Sequence, residues 1–176
     1  MPRSSPQPAA RSTRPHEVRI IGGQWRRTRL AVADKPGLRP TPDRVRETLF
    51  NWLASLAGAT GGELPGWHCI DVFAGTGALG FEAASRGAAV ALLCEQDPAL
   101  VAQMKATREK LQADAVRVER GDGVAQLERA PAGQWHAVEA ARAWSDEALA
   151  PFGLSVYRHL KAGAVHAHLL RAAIGD

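Results

Sequence analysis

The chemistry of this chain is concentrated in a run of glycines and three acids. Asp71 to Gly80, D-V-F-A-G-T-G-A-L-G, reads as a strand that passes through a glycine turn into a helix. Gly75 and Gly77 let the backbone turn sharply and a ligand approach it, and the free amides of the helix start face that ligand. Gly75, Gly77 and Gly80 also satisfy G-x-G-x-x-G, and Glu95 lies 20 residues after Gly75, so a dinucleotide dehydrogenase is one reading. Asp71 argues against it. An acid at the strand end repels a pyrophosphate but can receive, directly or through water, the cationic amino-acid part of S-adenosylmethionine. Gly121-Asp122 places a third acid after the next strand, at the carboxyl edge where open α/β sheets bind ligands. Glu95 can accept from two ribose hydroxyls and Asp122 from an adenine amine, which favours S-adenosylmethionine over NAD. The expected cofactor-binding set is Asp71, Phe73, Gly75, Gly77, Glu95 and Asp122.

These residues need strands and helices in alternation. Cys69 to Phe73 reads as an apolar strand, Ala78 to Arg86 as a helix ended by Gly87, and Ala89 to Cys94 as a second strand. Asp97 caps the next helix, with Pro98 at its first position and Leu100, Val101, Met104 and Leu111 as its buried stripe. Val116 and Val118 alternate in a third strand, followed by Gly121-Asp122 and a short helix. Such repetition with short turns predicts an α/β fold, doubly wound around a mostly parallel sheet. Leu154 to Tyr157 and Val165 to Leu170, around Lys161-Ala162-Gly163, predict a closing antiparallel hairpin. Upstream, Val18 to Ile21 and Trp25 to Leu30 flank Gly22-Gly23, which predicts a basic hairpin with a tight glycine turn. Thr41 or Asp43 then caps a helix that buries Val45, Leu49, Trp52 and Leu53 and exposes Arg44 and Glu47.

Length and charge bound the rest. The 176 residues, 45% hydrophobic and 23% charged, suit one globular domain, placed at 18–176 behind a disordered basic tail at 1–17. The formal net charge of +4 is uneven: residues 1–50 hold 11 Lys and Arg against 4 Asp and Glu, while the remainder holds 11 against 14. A basic segment on a mildly acidic body suggests a polyanion partner such as nucleic acid. No apolar run reaches the ~18 residues of a membrane helix. Cys69 and Cys94 read as buried reduced thiols, in keeping with a cytoplasmic protein. His166 and His168 alternate on a strand and read as one partly exposed sheet face rather than a metal pair. The five tryptophans read as packing residues, with Trp25 in the basic hairpin as the exception that could stack on RNA.

Three stretches resemble a known family. Val18 to Leu30 (V-R-I-I-G-G-Q-W-R-R-T-R-L), Gly37 to Leu53 (G-L-R-P-T-P-D-R-V-R-E-T-L-F-N-W-L) and Asp71 to Gly87 are similar to the bacterial 16S ribosomal RNA guanine-N2-methyltransferases, as is the ending L-K-A-G-A-V-H-A-H-L-L at Leu160 to Leu170. The resemblance implies a Rossmann-like methyltransferase sheet and S-adenosylmethionine as cofactor. It also implies the exocyclic amine of one guanine in 16S rRNA as acceptor, within an assembled small ribosomal subunit. It assigns Asp71, Gly75 and Gly77 to the methionine side, Glu95 to the ribose and Asp122 to the adenine. Arg39, Thr41, Arg44 and Arg46 fall in the family's N-terminal motif near cofactor and RNA; with Arg26, Arg27 and Arg29 of the hairpin they form the expected RNA-binding set. A monomer is expected.

The chain departs from that pattern in one place. Amino-methyltransferases of this type carry an Asp-Pro-Pro-Phe or Asn-Pro-Pro-Tyr motif after the fourth strand, because acceptors must hold the amine protons and an aromatic ring must stack on the flipped base. After Pro98 the only prolines here are Pro131 and Pro151, neither paired nor preceded by Asp or Asn. The sequence therefore identifies no catalytic residue. Gln134 to Val138 resembles the start of the fourth strand, yet Val138-Glu139-Ala140 runs at once into Ala141 to Trp144, which resembles the exit of the fifth. On the order of 30 residues, a strand, loop and helix, are missing there. An alternative to the enzyme is a non-catalytic RNA-binding or assembly protein that keeps the cofactor pocket. The foldability of the sheet favours an omitted stretch of chain over a true deletion, and an omission would show as a break in Cα spacing between His136 and Ala140.

Overall fold

The structure is a computed structural model that describes residues 17–59, 61–129, 136–140, 143–163 and 165–172. Most of the expected N-terminal tail, and Gln134, Trp135, Ala141 and Arg142, lie outside the described residues. Glu17 belongs to a strand rather than to the tail. The element order is β1 (Glu17–Arg19), β2 (Arg29–Ala31), α1 (Asp43–Ala57), β3 (His68–Asp71), α2 (Ala78–Ser85), β4 (Val90–Glu95), α3 (Pro98–Leu111), β5 (Val116–Arg120), α4 (Gly123–Leu127), β6 (His136–Ala140), α5 (Asp146–Leu149), a 3-10 turn (Ala150–Phe152), β7 (Leu154–Ala162) and β8 (Val165–Ala172).

β3, β4 and β5 form a parallel sheet in that order, with Asp71 opposite Leu93 and Glu95 opposite Arg120. β6, β8 and β7 form an antiparallel sheet with β8 in the middle, and β6 lies alongside β3. The α/β fold and the closing hairpin are as the sequence predicts. Side chains alternate between two apolar layers, as a pleated strand requires. From β4, Ala91 and Leu93 enter one layer with α1, α2 and α3; Leu92 and Cys94 enter the other with Leu127 of α4 and Leu149 of α5. From β8, Leu169 joins the first layer and Leu170 the second. Both faces are thus covered, which is why β4 is apolar from Val90 to Cys94 rather than alternating.

Two local expectations are corrected. The hairpin β1–β2 is real, with Val18 paired to Leu30, but its connection is nine residues long and Gly22-Gly23 is not its tight turn. Those glycines instead lie on the end of α2: a Cβ on Gly23 would stand 1.8 Å from the Ser85 carbonyl oxygen, and the Gln24 amide donates to that same oxygen at 2.8 Å. Neither Thr41 nor Asp43 caps α1, whose N-cap position is Pro42; Thr41 is buried and Asp43 is the first helical residue. β6 pairs residue by residue with β8 from His136↔Leu170 to Ala140↔His166 and lies alongside β3.

Candidate functional site

Asp71 ends β3, and the chain then turns through Gly75 (φ 54°) and Gly77 (φ 79°) into α2. Both φ values lie in the left-handed region that a side chain disfavours. Gly80 serves packing instead: a Cβ there would lie 2.3 Å from Leu93 Cδ1, so its absence lets α2 sit tightly on β4. Asp71 is buried, and its Oδ2 accepts from the Gly80 amide at 3.2 Å. Burial, reinforced by the nearby Glu95 charge, pushes its carboxyl up to about 7 despite that hydrogen bond.

Glu95 ends β4. Its Oε2 accepts from the Gly75 amide at 3.0 Å, and its Oε1 accepts from the amides of Gln96 and Asp97 at 2.8 and 2.9 Å. The glycine turn and the second acid are therefore one hydrogen-bonded unit. Asp97 in turn caps α3, accepting from the amides of Ala99 and Leu100, and its carboxyl is held below the usual range by a hydrogen bond from Lys35. Asp122 caps α4 by accepting from the Val124 amide at 2.9 Å and is exposed. Behind it, a Cβ on Gly123 would stand 1.9 Å from the Val72 carbonyl oxygen, so α4 starts against the end of β3.

Two adjoining clefts of about 200 Å³ each follow from this arrangement. The first is lined by Asp71, Gly75, Thr76 and Glu95, and walled by Gly37 to Thr41 of the N-terminal segment. The second is lined by Val72, Cys94, Gln96, Gly121 and Gly123. Glu95 and Phe73 line both, and Phe73 is 47% exposed. Of the expected cofactor set, Asp71, Phe73, Gly75 and Glu95 meet at the first cleft. Gly77 lies buried at the start of α2, and Asp122 stands between two residues of the second cleft.

The expected RNA-binding residues divide. Arg26, Arg27, Arg29, Arg39 and Arg44 are exposed, with Arg29 paired to Glu17. Arg39 also lines the first cleft. Arg46 does not belong with them. It is 0% exposed, pairs with Asp43 at 2.5 Å and Glu82 at 3.2 Å, and donates to the carbonyl oxygens of Arg19 and Thr41. A guanidinium so enclosed holds the N-terminal segment on the body and cannot reach a phosphate.

Sequence reading missed its partner. Glu82 of α2 is 0% exposed and accepts the amides of Ile21 and Gly22, both at 2.8 Å, one on each carboxylate oxygen. It also pairs with Arg46 and, at 2.9 Å, with Arg86, whose guanidinium lies 5.0 Å from the Phe50 ring centroid. Ser85 completes the dock, donating to the Gly22 carbonyl at 2.6 Å and accepting from the Trp25 amide at 3.0 Å. The available signal was an acid inside the apolar run A-L-G-F-E-A-A-S, a helix buried along its whole length.

The cysteines keep their structural reading: burial pushes both thiols up to about 12. Among the described residues no group of three or more His, Cys, Asp or Glu is placed to hold a metal. His166 and His168 do share a face, both stacking on His159, and that face is partly exposed as expected, with His159 exposed, His166 half-buried and His168 buried. Among the described residues no helix is long and apolar enough to cross a membrane.

Comparison with known proteins agrees with this geometry. The family model described as Conserved hypothetical protein 95 matches residues 18–138. The Escherichia coli (strain K12) protein named Ribosomal RNA small subunit methyltransferase D is 50% identical over 111 residues, 63% of this chain and 52% of that one. Its Haemophilus influenzae namesake is 44% identical over 106 residues, 58% of this chain and 50% of that one. The chain thus spans about half the length of these curated relatives. A solved Escherichia coli structure assigned as the methyltransferase yhhF is 32% identical with a TM-score of 0.68, covering 90% of this chain and 100% of that one. A Haemophilus influenzae structure assigned as a methylase, 24% identical with a TM-score of 0.63 over 89% of this chain and 99% of that one, supports the fold alone. On the match over 18–138 and the 32% identical solved structure, the chain belongs to the Conserved hypothetical protein 95 family.

Proposed function

We propose that this protein transfers the methyl group of S-adenosylmethionine to the exocyclic N2 amine of a guanine in 16S rRNA, presented in the small ribosomal subunit. The observation that carries the reading is the pair of clefts joined at Glu95, with a buried acid at one end and Gly121 to Gly123 at the other. A buried acid in one cleft and a second acid, Glu95, at the junction suit a ligand with a cationic amino-acid end, a ribose and a base. Asp71 would take the ammonium group, Gly75 the close approach of the ligand to backbone, Glu95 the ribose hydroxyls and Asp122 the adenine amine. The cofactor supplies an electrophilic methyl group on a sulfonium, whose loss leaves a neutral thioether. The exposed arginines would neutralise phosphates, a sequence-independent and salt-sensitive term. Asp71 also weighs against a dinucleotide, since ionised it faces a pyrophosphate with like charge. The protein is expected to act as a cytoplasmic monomer.

A second reading is favoured by the missing Asp/Asn-Pro-Pro-aromatic motif: an RNA-binding protein that keeps the pocket without methylating. Incubation with methyl-labelled S-adenosylmethionine and 16S rRNA or small subunits separates the two. Label on guanine N2 is expected. Binding of S-adenosylhomocysteine and RNA without label incorporation supports the second reading, and calorimetric binding of NAD without S-adenosylhomocysteine defeats both.

A further inference from the structure

We propose that Phe73 and Trp144 form a stacking platform for one unstacked nucleobase of the RNA, in the role that the missing Pro-Pro-aromatic motif would otherwise fill. This rests on the reading above and names how its substrate is held. Phe73 is the one large apolar side chain that stands exposed among the described residues, and it does so at the edge shared by both clefts. An isolated exposed phenylalanine needs no explanation, but this one has an aromatic partner. The ring centroid of Trp144 lies 6.3 Å away at an interplanar angle of 55°. The rings are tilted rather than stacked face to face, and Phe73 keeps 47% of its surface exposed, which leaves aromatic surface for a planar ligand.

The platform is also anchored. The Trp144 amide donates to His168 Nε2 at 3.0 Å, and the Trp144 side chain packs on the apolar layer that contains Ile70, Val72 and Leu170. Trp144 therefore does not have to be ordered when a ligand arrives. The choice of occupant follows from charge. Arg39 is exposed and lines the same cleft as Phe73, which provides a cation for the phosphate adjoining a stacked base. An apolar peptide side chain would have no use for that charge. Stacking on an aromatic face is open to any base, so the platform supplies affinity and placement, while choice of guanine must come from other contacts.

The test uses the full chain and a short single-stranded guanosine-containing oligoribonucleotide. A second probe of the same length lacks one base but keeps every phosphate. Wild-type protein is expected to bind the abasic probe about ten-fold more weakly, the scale of one base–aromatic stack. Trp144→Ala is expected to lower affinity for the intact probe by a similar factor and to keep binding of S-adenosylhomocysteine, since Trp144 lines neither cleft; Trp144→Phe should recover most of the loss. Equal affinity of wild-type protein for the two probes overturns the platform while leaving RNA binding in place, and needs no variant to fold. Failure to bind either probe or small subunits, with S-adenosylhomocysteine still bound, removes the RNA reading and the platform with it. Base-dependent probe binding without S-adenosylhomocysteine binding keeps the platform and removes the cofactor reading.

Discussion

The parallel sheet β3–β4–β5 and the antiparallel sheet β6–β8–β7 reach the same end, apolar layers on both faces, by different means. In the parallel half each strand leads directly into a helix whose start is fixed locally. Gly77 begins α2, Asp97 caps α3 and Asp122 caps α4, and Gly80 and Gly123 remove side chains where helix and strand must touch. In the antiparallel half the turn between β7 and β8 is uncrowded. Gly163, in the turn between β7 and β8, has open space where its side chain would stand, and the pairing shifts between Val156 and Arg158. The difference follows from what each half must do. The parallel half aims Asp71, Glu95 and Asp122 at one edge, where displacement of a few tenths of an ångström changes what a ligand meets, whereas the other half chiefly covers β3.

The contrast between the halves is steepest at the buried charge of α2. Glu82→Gln removes the negative charge between two buried guanidinium groups and disrupts acceptance of one of the two backbone amides. A loss of about 3–5 kcal/mol of stability is expected, read by denaturant unfolding. A loss below about 1 kcal/mol would show that the dock of the N-terminal segment is not held by charge.

Two glycines sharpen it next. Gly123→Ala forces a methyl group into the Val72 carbonyl and should cost about 3 kcal/mol, with weaker S-adenosylhomocysteine binding as α4 shifts. Gly163→Ala meets nothing and should cost only the left-handed backbone strain, roughly 1 kcal/mol, without affecting ligand binding. Equal costs would remove the distinction between the two halves.

The smallest effect is one of pH. Asp71 has its folded-state pKa raised from 3.8 to about 7, so its neutral form stabilises the fold. That contribution is complete below the ordinary carboxylate pKa and is lost as pH rises through about 7. Binding of a cationic ammonium runs the other way, because it needs the carboxylate. Affinity for S-adenosylhomocysteine should climb several-fold between about pH 6 and about pH 8, then level off, with Asp71→Asn flattening the profile. A wild-type profile that is flat across this range would take Asp71 out of ammonium recognition.

Much of the parallel half was legible because its signals are local. Asp97-Pro98 specifies a cap and a first helical turn within two residues, and D-V-F-A-G-T-G specifies strand, turn and helix within seven. Gly22-Gly23 misled for the same reason. Paired glycines suggest a turn, but the close neighbour that requires a glycine at 23 is the Ser85 carbonyl, more than 60 residues away in the chain. Arg46 shows the limit again. Between Val45 and Glu47 its charge read as part of a basic surface, whereas Glu82 and the Arg19 carbonyl, supplied by other elements, make its burial tolerable.

The alternation of strands and helices, the three acids at successive strand ends and the concentration of positive charge before residue 50 can all be read along the chain. Periodicity, capping chemistry and charge are properties of neighbouring residues, so no fold is needed to see them. The enclosure of Arg46, the N-terminal segment walling the first cleft and the meeting of Phe73 with Trp144 emerge from the folded molecule alone. Each of these depends on groups far apart in sequence reaching one place, and that meeting is set by how the apolar layers close, not by any local pattern.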